Sequence, residues 1–221
     1  SNISKAFLLS FLAGLSTLLG TIPIFFKTKQ KSTLIAGALS FAAGVMICVS
    51  ITDLIPEART LLETIFLPFP ACLILFIFFV IGILFSMFID RSFPQTEKKT
   101  IKNQKLYRIG IVSMMAIILH NLPEGIATFL SAKENITLGL SLTIAIALHN
   151  VPEGISISVP VYYATGSRKK AFLYTLISGL SEPLGAFIAF LFLSPFINNF
   201  IMGSLFSLIA GIMIHISSMN F

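Results

Sequence analysis

A ten-residue motif whose side chains could bind a metal ion occurs twice in this chain. Residues 119–128 read LHNLPEGIAT and residues 148–157 read LHNVPEGISI, so the second copy begins 29 positions after the first. In an α-helix, a His and a Glu four positions apart lie on one face, one turn apart, and the Asn after the His lies about 100° round the helix. The candidate ligands in the two copies are His120, Asn121, Glu124, His149, Asn150 and Glu153.

Each copy also carries a proline and a glycine beside these polar residues. Pro123 and Pro152 have no N–H, so the carbonyl four positions earlier in each helix loses its usual partner. Gly125 and Gly154 allow another helix or a bound ion to approach the backbone closely. A helix with free oxygen atoms beside imidazole and carboxylate groups is typical of a cation site at membrane depth.

A third acidic residue occupies the next apolar stretch. Glu182 lies in SGLSEPLGA, residues 178–186. No Lys or Arg lies in the apolar stretches that immediately surround the three Glu. An acidic residue near the centre of a membrane helix costs roughly 2.5 to 3.5 kcal/mol, and a divalent cation would compensate for that cost. Imidazole, carboxylate and amide ligands suit zinc, iron or manganese, whereas the lack of thiolate argues against Cu(I). The HExxH helix of metalloproteases is absent.

The composition of the chain places these motifs inside a membrane. Of 221 residues, 56% are hydrophobic and 11% are charged, and the mean hydropathy is +0.94, whereas soluble domains are roughly 25% charged. The sequence predicts an all-α, polytopic transmembrane helix bundle that forms a single domain over 1–221. The first apolar run is too long for the apolar core of a signal peptide, so we expect it to be a span. The seven predicted spans are about 3–26, 32–56, 65–89, 106–132, 136–163, 169–193 and 196–217.

The distribution of Lys and Arg between these spans predicts the orientation. Twelve of the 15 basic residues follow the odd-numbered spans, and an excess of Lys and Arg marks the cytoplasmic side. We therefore expect an extracellular N-terminus and a basic cytoplasmic loop at 90–108. Most of the basic residues behind the net charge of +6 lie in the short connections between spans, where they determine topology. We therefore expect no nucleic-acid partner. The twelve residues are Lys27, Lys29, Lys31, Arg91, Lys98, Lys99, Lys102, Lys105, Arg108, Arg168, Lys169 and Lys170, and the other three are Lys5, Arg59 and Lys133.

Two further polar residues have both a structural and a functional interpretation. Asp53, near the outer end of the second span, is either an interfacial carboxylate at a helix end or a group that attracts cations to an outer mouth. His215 lies near the end of the seventh span, where a single His more often packs than binds a metal. Cys48 and Cys72 lack CxxC spacing, so we expect them to pack as apolar side chains.

The doubled HNxPEG motif, followed by the Glu-Pro pair of the sixth span, resembles the ZIP (Zrt/Irt-like protein) family of divalent metal transporters, in particular its bacterial ZupT/GufA-like branch. The resemblance extends over nearly the whole chain. It implies import of zinc, with iron, manganese, cobalt and cadmium as further candidate ions, through a two-metal site between the fourth, fifth and sixth helices. By the same resemblance, the first metal centre would comprise His120, Glu124, His149 and Glu153, and the second Asn121, Glu124, Asn150, Glu153 and Glu182.

The sequence leaves two alternatives to an active importer. The family has eight spans and this chain has seven predicted ones, so a truncated protein that binds metal without transporting it is one alternative. An intramembrane zinc hydrolase is the other, because the chain contains three His, but a catalytic site of that kind would hold zinc mainly through His and leave one position open for water. We expect a non-enzyme in the plasma membrane that needs no cofactor, with a divalent metal as its transported substrate. A homodimer is left open.

Overall fold

The computed structural model describes residues 2–26, 31–92, 103–193 and 196–219, and these residues form helices and no strand. Seven of the helices are long and apolar enough to cross a membrane, which confirms the predicted all-α bundle of about seven spans. The helices are α1 (Asn2–Phe25), α2 (Ser32–Glu63), α3 (Pro68–Ser92), α4 (Gln104–Glu134), α5 (Ile136–Thr165), α6 (Arg168–Phe192) and α7 (Asn199–Met219).

Part of the predicted cytoplasmic side falls outside the described residues. Five of the twelve basic residues lie there, and so do positions 93–102 of the predicted loop 90–108. The two ends of that predicted loop are helical, because α3 continues to Ser92 and α4 begins at Gln104. The five basic residues outside the described ranges are Lys27, Lys29, Lys98, Lys99 and Lys102.

Two of the helices change their winding where they pass through the membrane. The second half of α1, Thr17–Phe25, is a 3₁₀ helix that contains Pro23. In α2, Ser50–Leu54 forms a π turn, in which the Ile55 N–H donates to the Ser50 carbonyl five residues earlier. Pro56 follows directly and has no N–H, so the ordinary i to i−4 ladder is interrupted at this point.

Helices α1, α4, α5 and α6 form a first helix group that is held together by backbone contacts at glycine. A Cβ atom on Gly14 of α1 would overlap the Gly179 carbonyl of α6. A Cβ atom on Gly125 of α4 would overlap the Glu182 carbonyl, which also belongs to α6. Gly20 of α1 meets α5 in the same way. Because no side chain separates the backbones, the helix axes lie close together.

Helices α2, α3 and α7 form a second helix group with contacts of the same kind. Gly82 of α3 lies against the Leu208 carbonyl of α7, and Gly211 of α7 lies against the Phe79 carbonyl of α3. The two groups meet where α2 packs on α5 and where α4 packs on α7. Among the described glycines, the contacts that would overlap a Cβ atom all lie within one group or the other.

A single residue, Asn135, connects α4 to α5. Its backbone N–H donates to the Ser131 carbonyl at the end of α4, and its side-chain oxygen accepts from the N–H groups of Thr137 and Leu138 at the start of α5. Asn135 therefore caps both helices, which explains how two long helices reverse direction without a loop.

The outer surface of the bundle is apolar. Only 11% of the most apolar 18-residue window of α3 is buried in the protein, and its exposed residues include Phe69, Phe76 and Phe88. Cys48 and Cys72 are free and exposed on this surface, so they do not pack in the interior of the bundle. An exposed apolar belt is what a helix bundle presents to lipid.

We predict that Gly82→Ala destabilises the protein, whereas Gly44→Ala does not. The new Cβ at position 82 would overlap the Leu208 carbonyl, but a Cβ at position 44 has nothing within 4 Å. Overpacking of this kind costs about 1–3 kcal/mol, while Ala in an open helical position is favourable by up to about 1 kcal/mol. Thermal unfolding in detergent measures both, and an equal melting temperature for the two variants would contradict the assigned packing.

Candidate metal site

The repeated motif lies near the middle of α4 and α5, deep in the first helix group. His120 is 1% exposed and Glu153 is 0% exposed, and Glu124 is also buried. His149 is less enclosed, with 12% of its side chain exposed. The cluster therefore sits in the interior of the bundle, and its remaining exposure is largest at His149.

The His of each motif copy faces the Glu of the other copy. His149 Nε2 lies 2.8 Å from Glu124 Oε1 and forms a hydrogen bond with it. His120 Nε2 lies 3.1 Å from Glu153 Oε1 and 3.1 Å from Glu124 Oε1 in its own helix. Since α4 and α5 run antiparallel, the repeat produces this reciprocal arrangement.

Several polar atoms of this cluster have no hydrogen bond within the described protein. His120 Nε2 and both carboxylate oxygens of Glu153 are buried without one, although His120 Nε2 lies 3.1 Å from Glu153 Oε1. Buried polar groups are normally paired, so such atoms indicate a ligand. Ligand atoms from His120, Glu124 and His149 all lie within 4.8 Å of one another. A metal bound at about 2.0–2.2 Å from each ligand would hold such atoms roughly 3–3.6 Å apart, so a small rearrangement of these side chains would bring them to that spacing.

The two motif Asn residues and Glu182 lie beside this cluster. The Asn150 amide donates to Glu182 Oε2 at 3.0 Å and to the Ala13 carbonyl at 2.9 Å. The Asn121 amide donates to the Ser178 carbonyl at 2.9 Å. Their Oδ1 atoms and Glu182 Oε1 are buried with no hydrogen bond among the described residues. These oxygens are suitable ligands for a second cation, and their assignment as ligands stays a prediction.

The remaining predicted residues lie elsewhere. Asp53 is exposed in the π turn of α2, so its role at an outer mouth stays a prediction. His215 Nδ1 lies 2.9 Å from Ser86 Oγ, in a pair that joins α7 to α3. His215 is thus absent from the group that His120, Glu124 and His149 form in the described chain.

The main-chain carbonyls of Ala13 and Ser178 were not among the predicted site residues. Each accepts the amide of a motif Asn, and thereby fixes which end of that side chain is oxygen and which is nitrogen. Ala13 immediately precedes Gly14, and Ser178 immediately precedes Gly179, the two glycines at which α1 and α6 touch. The small residues in α1 and α6 were the available signal, but they do not indicate which carbonyl is reached.

Comparison with known proteins identifies similar sequences over almost the whole chain. Residues 94–221 match the profile of a family described as ZIP Zinc transporter. A zinc transporter ZupT from Streptococcus mutans is 44% identical over 98% of this chain and 85% of its own length. Those of Clostridium perfringens and Campylobacter jejuni are 42% and 40% identical, each again over 98% of this chain and 85% of the relative.

We predict that Glu124→Gln weakens zinc binding far more than Glu134→Gln. Glu124 Oε1 contacts both His side chains, whereas Glu134 is exposed at the end of the same helix. Loss of even an outer partner of a metal ligand typically lowers affinity about 10- to 100-fold, so we expect at least that loss at position 124. Titration calorimetry with the purified protein in detergent measures it, and unchanged affinity in Glu124→Gln would exclude this carboxylate as a ligand.

Proposed function

This chain belongs to the ZIP zinc transporter family, and we propose that it carries Zn²⁺ through the cluster of His120, Glu124, His149 and Glu153. The observation that carries the proposal is that buried imidazole and carboxylate groups from two membrane-spanning helices converge without completing their hydrogen bonds. Buried ionisable groups in a membrane helix are costly and usually mark an ion pathway. A divalent cation neutralises the two carboxylates and accepts electron pairs from the two imidazoles.

The transported ion would exchange its water for protein ligands in this cluster. His149, the most exposed member, is suited to the first contact, after which Glu124 can bind the same ion, since its Oε1 atom lies 2.8 Å from His149 Nε2. His120 and Glu153 complete the ligand set. Glu182, Asn121 and Asn150 would hold a second ion beside it, with Glu124 and Glu153 shared between the two. No covalent chemistry is required, and release needs the site to open toward the other side of the membrane.

We infer import into the cytoplasm from the family resemblance, and the orientation of the chain from the distribution of charge. The inner ends of α3, α4 and α6 carry Arg91, Lys105, Arg168, Lys169 and Lys170. The opposite ends of the spans carry Lys5, Arg59 and Lys133. This asymmetry favours an extracellular N-terminus, and the cytoplasmic membrane of the cell is the corresponding location.

The hydrolase alternative loses its main support in this geometry. A three-His zinc site would need His215 beside the two motif His residues, but His215 pairs with Ser86 on α3. The ZupT relatives from Streptococcus mutans and Clostridium perfringens are named as zinc transporters. Iron, manganese, cobalt and cadmium are further candidate substrates, because the same ligand types bind them.

We predict that Glu153→Gln lowers zinc uptake into proteoliposomes about tenfold or more, whereas Glu57→Gln leaves it unchanged. Both substitutions remove one carboxylate, but Glu153 is buried beside His120 and Glu57 is exposed. The initial uptake rate, measured with a zinc-sensitive dye inside the vesicles, distinguishes them. Uptake that is equal in all three proteins would refute the proposed pathway, while a wild-type protein that binds zinc without uptake would favour the transport-inactive alternative.

The same vesicles rank the candidate ions. We expect iron, manganese, cobalt and cadmium to reduce zinc uptake in the wild-type protein when each is added in excess outside, because all use nitrogen and oxygen ligands. Magnesium serves as the control, since it retains its water and prefers an all-oxygen octahedral site. Inhibition by magnesium equal to that by cadmium would contradict a site that contains imidazole.

The orientation is testable by labelling single cysteines in intact cells. In a Cys48→Ser, Cys72→Ser background, Glu134→Cys should react with a membrane-impermeant maleimide from outside, and Lys169→Cys should react only after permeabilisation. Both positions are exposed at helix ends on opposite sides of the bundle. The reverse labelling pattern would require an N-terminus in the cytoplasm.

A further inference from the structure

An ion pair joins the inner ends of α3 and α4. Arg108 Nη2 donates to the main-chain carbonyl of Asp90 at 2.7 Å and lies 3.0 Å from its carboxylate. The side chains are 34% and 22% exposed, so the pair is partly shielded from solvent. One guanidinium group therefore holds both the backbone and the side chain of Asp90, which fixes its direction of approach more tightly than a single contact does.

This pair connects the two helix groups. Asp90 lies on α3 in the second group, and Arg108 lies on α4, twelve residues before the motif residue His120 in the first group. By contrast, the glycine backbone contacts lie within the groups, and the polar contacts of the site join α4, α5, α6 and α1 to each other. Twelve helical residues span about 18 Å, so a shift of Arg108 along α4 would be transmitted to the site by a rigid helix.

The pair leaves some of its polar atoms without partners. Asp90 Oδ1 and Arg108 Nε are buried with no hydrogen bond among the described residues. One turn earlier on α3, Ser86 pairs with His215 of α7, which ties this end of α3 into the second group. Asp90 therefore lies on a helix that is held within the second group. Arg108 contacts it from the first group, and one polar atom of each residue is left without a hydrogen bond.

We propose that Asp90 and Arg108 are positioning residues that hold the two helix groups in the arrangement seen here, and that their separation accompanies each transport cycle. The proposal rests on the proposed transport function, because a site that serves both sides of a membrane needs at least two arrangements of the helices around it. A contact between the groups that is incompletely satisfied can break at low cost. The tightly packed glycine contacts inside each group cannot.

The first test is kinetic and uses charge removal and charge exchange. Asp90→Asn and Arg108→Gln should raise the maximal zinc uptake rate up to about fivefold, the change that loss of a pair of this exposure typically produces, and leave the half-saturating zinc concentration unchanged. Arg91→Gln, an exposed cation next to Asp90, is the matched control and should behave as wild type. The double variant Asp90→Arg, Arg108→Asp should return the rate toward the wild-type value.

The second test measures the helix ends directly and does not depend on transport. Spin labels at Ser92→Cys and Lys105→Cys, both exposed, report the distance between the inner ends of α3 and α4 in a Cys48→Ser, Cys72→Ser background. Asp90→Asn should add a population at longer distance, and the charge exchange should remove it. If this population appears while the wild-type protein takes up no zinc, the positioning role stands and the proposed function fails.

Two results would overturn the positioning role. One is a distance distribution that is identical in wild type, Asp90→Asn and Arg108→Gln. The other is a charge exchange that behaves as the sum of its single substitutions, because a pair that acts through mutual contact must show coupling between its members. Melting temperatures measured in parallel identify any variant that fails to fold, and the remaining single variant then decides.

Discussion

The cost of three carboxylates in the membrane interior constrains the rest of this structure. Glu124, Glu153 and Glu182 are buried on helices that have apolar surfaces, and lipid offers no hydrogen bonds. An imidazole group lies against Glu124 and Glu153, and an amide group lies against Glu182. This arrangement reduces the cost without removing it, because several oxygen atoms still have no partner in the described chain. A cation can use that remaining capacity.

Close contact between backbones makes this polar interior feasible. Where α1 meets α6 at Gly14 and Gly179, main-chain carbonyls come within reach of side chains on a third helix. The amides of Asn121 and Asn150 use such carbonyls, which leaves their oxygen atoms available to a ligand. Small residues thus contribute to the chemistry of the site as well as to packing, since larger ones would move these acceptors out of range.

The sequence predicted the features that depend on position along one helix or on average composition. The spacing of His120 and Glu124 gave a shared face, and the apolar runs gave seven spans. The contacts of Asn150 with Ala13 could not be predicted, because a main-chain acceptor on another helix has no sequence signature. Arg108 was assigned to a basic loop, although it lies on α4 and pairs with Asp90, because a count of charges does not separate loops from helix ends. The π turn of α2 was also missed.

The one-residue connection at Asn135 bears on how the protein enters the bilayer during synthesis. With no loop between them, α4 and α5 emerge in succession and can insert as one helical hairpin. Inside this hairpin the His of each motif already faces the Glu of the other, so neither acidic helix has to partition into lipid alone. Glu182 is synthesised later, on α6, and accepts a hydrogen bond from Asn150 of α5. The order of helices along the chain thereby allows the two most polar spans, α4 and α5, to enter the bilayer together, with the His of each beside the Glu of the other.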